Sequence, residues 1–154
     1  MNAPLLMVEN LRVTYPAGRR HVTAVRGATF TIERGRCLGV AGESGSGKSS
    51  LARGLLGLET HVAGRVVFDG QEVLKLDRAG RLRFRRRAQM VFQDALGSLN
   101  PRMKTGAALA EVLRVHGLVA TRAETERQVA RWLETVGLDG AYANRFPHEL
   151  SGGQ

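Results

Sequence analysis

The feature that most constrains this chain is a glycine-rich loop at residues 42–49, Gly-Glu-Ser-Gly-Ser-Gly-Lys-Ser, which fits the pattern G-x-x-x-x-G-K-[ST]. Its glycines allow backbone conformations closed to other residues, so successive N–H groups can point at phosphate oxygens. An apolar run at 37–41 precedes the loop, and Leu51, Leu55 and Leu58 follow it at helical spacing. This strand–loop–helix order predicts a phosphate-binding loop.

The last two residues of the loop carry the side chains that suit a nucleotide. The helix that begins near Lys48 would present the positive end of its dipole to the same phosphates. Lys48 can reach the β- and γ-phosphates, and the hydroxyl of Ser49 suits coordination of Mg²⁺. We therefore predict that the loop binds ATP or GTP together with Mg²⁺.

The remaining patterns predict an α/β protein with an added helical segment. Strands are expected at 5–14 (broken by Pro16 and Gly18), 22–32 and 64–69, with short buried strands at 37–41 and 90–92. Asp77 can cap a short basic helix. Further helices are expected over 106–116, with Leu109, Val112 and Leu113 on one face, and over 121–136, with a Thr121–Glu124 capping box and an apolar stripe of Val129, Trp132, Leu133 and Val136. Gly117 and Gly137 are expected to end them.

Composition argues against several other classes of function. The net charge of +9 first suggests nucleic acid, but aromatic residues make up only 5%, too few for a base-stacking platform. The basic cluster Arg81, Arg83, Arg85, Arg86 and Arg87 is expected to be a solvated helix face or an interface. Cys37, in an apolar stretch, is expected to be a buried and inert thiol. No apolar run is long enough to span a bilayer, and the first residues lack the features of a secretion signal.

A second motif, Leu150-Ser151-Gly152-Gly153-Gln154, resembles the signature motif of ATP-binding cassette (ABC) ATPases letter for letter. A hydroxyl followed by two glycines at a helix start would form a second phosphate-binding surface. The resemblance extends over nearly the whole chain. It implies a partial P-loop NTPase core with an N-terminal antiparallel β-subdomain (1–93), a helical subdomain (94–149) and the signature motif (150–154).

The same resemblance assigns roles to individual residues. Tyr15 corresponds to the aromatic residue that stacks on adenine, and Gln93 matches the glutamine that contacts Mg²⁺ and the attacking water. Lys48 and Gln93 are the implied catalytic residues, and Ser49 and Gln93 the implied metal ligands. The implied nucleotide-binding set is Tyr15, Gly42, Glu43, Ser44, Gly45, Ser46, Gly47, Lys48, Ser49, Ser50, Ser151, Gly152, Gly153 and Gln154.

Two local features refine the resemblance. Asp69 ends an apolar strand as the Walker B aspartate does, but Gly70 follows it, so we interpret Asp69 as a turn residue. The segments at 93–103 and 145–149 resemble importers of dipeptides, oligopeptides and nickel. Gln93 and Asp94 begin the segment that the family calls the Q-loop. Members of the importer group usually have a proline after this aspartate, whereas Ala95-Leu96-Gly97 follows Asp94 here, which weakens the assignment of a substrate.

The resemblance implies an energy-coupling ATPase whose two subunits, identical or different, sandwich ATP. Its permease subunits would hold it on the cytoplasmic face of the membrane, with no nucleic-acid partner. In ABC ATPases the Walker B aspartate and the catalytic glutamate that follows it lie beyond the signature motif. No Asp-Glu pair occurs in this sequence, so we expect a piece of a longer subunit that does not turn over ATP alone. Two alternatives stay open: a soluble ABC ATPase of DNA repair or translation, and a P-loop kinase or GTPase.

Overall fold

The computed structural model describes residues 3–94 and 97–154. The chain divides between Met90 and Val91 into two compact units. Nowhere in the described residues is a helix both long and apolar enough to cross a membrane.

The first unit contains an antiparallel sheet, as the sequence predicts. Its strands are β1 (Leu6–Ala17), β2 (Arg20–Ile32), β3 (Val62–Phe68) and β4 (Gln71–Glu72), in the order β2-β1-β3-β4. Strand β1 continues beyond the predicted break, because Pro16 stays in the sheet opposite His21 and the chain reverses only at Gly18. The long central strand β1 therefore carries most of the sheet's pairing.

Two α-helices, α1 (Lys48–Leu55) and α2 (Arg78–Arg87), and a 3₁₀ helix at Val73–Lys75 complete this unit among the described residues. The core consists of Val8, Leu11, Val66, Val73 and Phe84, and Leu51 and Leu55 of α1 pack against it. Leu58 lies beyond the end of α1 and is 45% exposed, so it does not extend the apolar face as predicted. The capping role of Asp77 is confirmed, since its carboxylate accepts the N–H of Gly80 at 2.7 Å.

The turn between β3 and β4 consists of Asp69 and Gly70. Both have positive φ, 49° and 78°, which is the conformation of a two-residue hairpin turn that matches the twist of its strands. The interpretation of Asp69 as a turn residue is confirmed. Its carboxylate lies beside two guanidinium groups, those of Arg34 and Arg87.

The second unit is helical. Its elements are α3 (Thr105–Val115), α4 (Arg122–Thr135) and 3₁₀ helices at Gly140–Asn144 and Pro147–Glu149. Its core consists of Leu113, Val129 and Leu133, with Leu109 and Trp132 packed around them. Val112 and Val136 are 42% and 70% exposed, so their predicted places on the apolar faces are wrong. Val136 follows the last residue of α4, and Val112 lies one turn before the end of α3.

Local capping signals in this unit largely agree with the structure. The hydroxyl of Thr121 accepts the N–H of Glu124 at 3.2 Å, but the Glu124 carboxylate accepts from Ala120, one residue earlier than a capping box requires. Gly117 and Gly137 end the two helices as predicted. Each helix closes with a pair of backbone hydrogen bonds, for example from Leu138 to the carbonyl of Leu133 at 2.9 Å.

The two short buried strands predicted at 37–41 and 90–92 are wrong. Neither segment is paired in the sheet, and Val91 is 95% exposed. A buried parallel strand needs neighbours on both sides to bond its backbone groups, and no described strand lies along either segment. Cys37 lies in the first segment and is consequently exposed, not buried.

The ion pairs of Asp69 predict a dependence of stability on pH. Hydrogen bonds from Arg87 and Arg34 hold the pKa of this carboxyl below its ordinary value. A depressed pKa in the folded state stabilises the protein above the ordinary pKa of about 4, and this contribution disappears as the pH falls through the folded value. We therefore expect Asp69→Asn, which keeps the turn, to lower the free energy of unfolding at pH 7 and to have little effect at the acid end.

The measurement is urea unfolding of the wild-type and Asp69→Asn chains between pH 7 and pH 3. Repeating it in high salt provides the control, because exposed pairs are screened and the difference should shrink. A difference that grew as the pH fell would contradict the assignment.

Candidate nucleotide-binding site

The glycine-rich loop passes directly into α1, and Lys48 is the first residue of that helix. The Lys48 ammonium turns back over the loop and donates to the carbonyl oxygens of Gly42 and Glu43, both at 2.7 Å, and to Ser46 Oγ at 3.4 Å. The loop is further closed by a backbone hydrogen bond from Ser46 to Glu43 at 3.2 Å. The Lys48 ammonium is thus held against a loop whose residues are mostly exposed.

The N-terminus of α1 has no capping side chain. Gly47 occupies the N-cap position, and no side-chain hydrogen bond caps the helix. The first N–H groups of a helix have no partner within it, so those of Lys48, Ser49 and Ser50 depend on an external acceptor. Uncapped amides, the helix dipole and an ammonium group together form a site for an anion of high charge.

Gly47 fixes the loop against the sheet. It has a φ of 96°, and a Cβ built on it would lie 2.4 Å from the carbonyl oxygen of Ala24 on β2. Ala24 lies where the pairing of β1 with β2 shifts register, between Thr23 and Val25. The irregularity in β2 therefore faces the point where the loop becomes the helix.

Tyr15, the predicted adenine-stacking residue, lies in the same unit as the loop. It is half-buried on β1 and pairs with Val22 of β2, two residues before the Ala24 carbonyl that meets Gly47. The residue of β2 that pairs with Tyr15 and the residue of β2 that contacts Gly47 are therefore only two positions apart. Its stacking on a base stays a prediction.

Gln93, the predicted catalytic and metal-binding glutamine, lies in the second unit. It is exposed at a bend. The neighbouring Asp94 organises the start of the next segment, since its carboxylate accepts the N–H of Gly97 at 2.9 Å and its carbonyl accepts from Ser98 at 3.2 Å. Ala95 and Leu96, where the sequence departs from the importer pattern, lie outside the described residues.

The motif Leu150–Gln154 forms a turn, where the sequence predicts a helix start. Gln154 donates its backbone N–H to the carbonyl of Ser151 at 3.0 Å, and its side-chain oxygen accepts the N–H of Ser151, also at 3.0 Å. Residues 151–154 are exposed. Neither Gly152 nor Gly153 has a positive φ, and a Cβ built on either meets nothing within 4 Å. The turn itself therefore places no requirement on these two positions to be glycine.

Tyr142 anchors this turn, and sequence reasoning missed it. Its hydroxyl accepts a hydrogen bond from Gln154 Nε2 at 2.8 Å, while the guanidinium of Arg145 stacks on its ring at 4.4 Å from the centroid. The ring also packs against the core of the helical unit. No motif marks Tyr142, because the contact joins residues twelve apart through a 3₁₀ helix and a loop.

The sheet, the glycine-rich loop and the uncapped helix with its leading lysine together define a protein of the P-loop class. The family described as "ABC transporter" matches residues 25–154, which includes both the loop and the motif at the end of the described chain. The chain belongs to the ABC transporter family.

Named relatives agree with this family. The chain is 43% identical over its full length to the oligopeptide transport ATP-binding protein OppF of Bacillus subtilis, and covers 51% of that protein. It is 41% identical over 98% of its length to the glutathione import ATP-binding protein GsiA of Pectobacterium atrosepticum, covering 25% of it. The chain thus spans about half the length of OppF, the first of these curated relatives.

A solved structure supports the fold. The ATP-binding cassette MJ0796, in a dimeric post-hydrolysis state bound to ADP and Pi, matches with a TM-score of 0.78 and 26% sequence identity. The match covers 97% of this chain and 64% of that one. The predicted ABC-type α/β fold is thereby confirmed.

The contact of Gly47 with Ala24 predicts unequal effects of alanine at two loop positions. Gly47 and Gly45 both have positive φ, but only Gly47 faces an obstacle, since a Cβ on Gly45 meets nothing within 4 Å. Alanine costs about 1–3 kcal/mol at either position because of the backbone conformation. We expect Gly47→Ala to lower the urea midpoint clearly more than Gly45→Ala. Equal midpoints for the two variants would contradict the close approach to β2.

Proposed function

We propose that this chain is the ATP-binding part of the energy-coupling subunit of an ABC importer for peptides or nickel. One observation carries the proposal: the Lys48 ammonium lies over the loop, next to the uncapped N-terminus of α1. The names of the relatives, which are transport and import ATP-binding proteins, support import over DNA repair or translation. Membership of the ABC family argues against a P-loop kinase or GTPase.

In this proposal the loop holds the phosphates of ATP. The uncapped N–H groups of Lys48, Ser49 and Ser50 donate to phosphate oxygens, and the Lys48 ammonium moves from the loop carbonyls to the β- and γ-phosphates. Exchanging two neutral carbonyl acceptors for anionic oxygens strengthens the hydrogen bonds of an ammonium. Tyr15 stacks on the adenine.

The exposed hydroxyl of Ser49, at the second position of α1, fits a hard cation that prefers oxygen ligands. The assignment of Gln93 as a further ligand rests on the family resemblance alone. When bound, Mg²⁺ neutralises charge on the phosphates. We assign Lys48 and Gln93 the roles of stabilising phosphate charge and orienting water, so that catalysis rests on positioning and electrostatics.

We further propose that the signature turn acts on the nucleotide of a second ATPase subunit, identical or different. Gly152 and Gly153 are exposed and have open space beside them, so a phosphate group can approach the backbone of the turn closely. Ser151 and Gly153 would contact the γ-phosphate held by the partner. Closure of this dimer would move permease subunits that hold the protein on the cytoplasmic face of the membrane.

The domain limits of the proposal are 1–93 for the β-subdomain and P-loop core, 94–149 for the helical subdomain and 150–154 for the signature motif. In this proposal the subunit binds ATP and couples its hydrolysis to transport, and nucleic acid is not a partner.

Replacing Lys48 tests nucleotide binding in the chain as it stands. Lys48→Ala should weaken binding of a fluorescent ATP analogue about tenfold or more, since a hydrogen bond to a charged group contributes about 1.5–3 kcal/mol. Lys104→Ala provides the control, because it removes the same charge from the helical unit. Unchanged affinity in Lys48→Ala, or equal loss in both variants, would overturn the proposal.

Alanine at Gly153 separates function from stability. The site has ordinary φ and open space, so Gly153→Ala should leave the urea midpoint of the chain unchanged or slightly raised. In the complete subunit the same change should abolish ATP-dependent dimerisation, measured by size-exclusion chromatography with light scattering. A variant that dimerises normally would remove Gly153 from the proposed contact.

A further inference from the structure

Helix α2 presents an unusually basic outer face. Six of its ten residues are arginine, at positions 78, 81, 83, 85, 86 and 87, and the helix contains no acidic residue. Its opposite side is fixed to the core through buried Gly80 and Phe84, with Phe84 in edge contact with Phe68 at 5.4 Å. This attachment determines which side chains face outward.

Leu82 lies at the centre of the outward side. Its helical neighbours at i−4, i+3 and i+4 are Arg78, Arg85 and Arg86, so three guanidinium groups surround one apolar side chain. Leu82 is 39% exposed, and all three arginines are exposed. We call Arg78, Leu82, Arg85 and Arg86 the α2 face.

The charge of this face is not neutralised within the described residues. Arg87, at the inner side, pairs with Asp69, and Arg81 donates to the carbonyl of Leu76. No carboxylate of the described chain forms an ion pair with Arg78, Arg85 or Arg86. Asp77, the nearest acid in sequence, caps the helix through Gly80.

We propose that the α2 face docks on an anionic phospholipid surface, with its arginines on lipid phosphates and Leu82 in the interfacial layer. Clusters of basic residues on an amphipathic helix bind acidic lipids, each contributing about 1 kcal/mol near the surface. Arginine stems can lie along the apolar layer while their guanidinium groups stay at the headgroups. This docking does not depend on nucleotide binding.

Nucleic acid fits the face less well. Binding of single strands relies on aromatic side chains on which bases stack, and the only aromatic residue of α2, Phe84, is buried. A phospholipid surface presents phosphates above an apolar layer. It therefore offers a partner both to the three arginines and to the exposed leucine. An acidic protein surface would also pair with these charges, and binding to an acidic polypeptide is therefore one outcome of the test.

The experiment is sedimentation of the chain with phosphatidylcholine vesicles, with and without phosphatidylglycerol. The triple variant Arg78→Gln, Arg85→Gln, Arg86→Gln should lose roughly a hundredfold in affinity for the anionic vesicles. The control Arg114→Gln, Arg127→Gln, Arg131→Gln removes the same charge from exposed positions of the helical unit and should bind nearly as the wild type does. Circular dichroism and urea midpoints establish that each variant is folded.

Leu82→Ser tests the apolar part and should weaken vesicle binding several-fold without changing the net charge. Equal losses in the two triple variants, or wild-type binding by Leu82→Ser, would overturn the proposal. So would binding to RNA or to an acidic polypeptide that depends on the same arginines when anionic vesicles bind no better than neutral ones. Displacement by soluble glycerol phosphate at the concentration of the lipid headgroups would equally overturn it, because that result indicates a discrete phosphate pocket.

Discussion

The candidate site depends on the close packing of α1 against the antiparallel sheet. Two glycines make this packing possible, one near each end of the helix. A Cβ on Gly47 would lie 2.4 Å from the Ala24 carbonyl of β2, and one on Gly54 would lie 2.7 Å from a methyl group of Val13 on β1. With both ends held, the backbone N–H groups of the first turn keep a fixed direction. Such preorganisation lets the start of a helix stabilise phosphate charge without moving its backbone.

The elements that could be predicted from the sequence are those whose signals are local. Strands β1 to β3, helices α1 to α4 and the Asp69–Gly70 turn follow from periodicity, caps and turn residues within each segment. The segments at 37–41 and 90–92 carry an equally clear apolar pattern and still form no strand. A buried parallel strand depends on neighbours distant in sequence, and a local pattern contains no information about them.

The same distinction applies to the site. The loop and the signature motif are each an unbroken run of residues, so both could be identified from the sequence. Ala24, Gly54 and Tyr142 support them from elsewhere in the fold, and each does so through a backbone atom, a missing side chain or a single hydroxyl. None of these contacts produces a recognisable pattern in the composition of the sequence or in the spacing of its residues. Supporting contacts of this kind become visible only when the fold brings distant segments together.

The glycines of the two motifs differ in what requires them, and that difference bears on function. Gly47 is needed by the protein itself, because its φ and the nearby Ala24 carbonyl leave no room for a side chain. Gly152 and Gly153 have open space and ordinary backbone conformations. Alanine would therefore be strained at position 47, whereas the turn at 150–154 has room for a Cβ at either of its glycines. The fold thus explains the glycine next to Lys48, and the proposed contact with a second subunit is what would explain the other two.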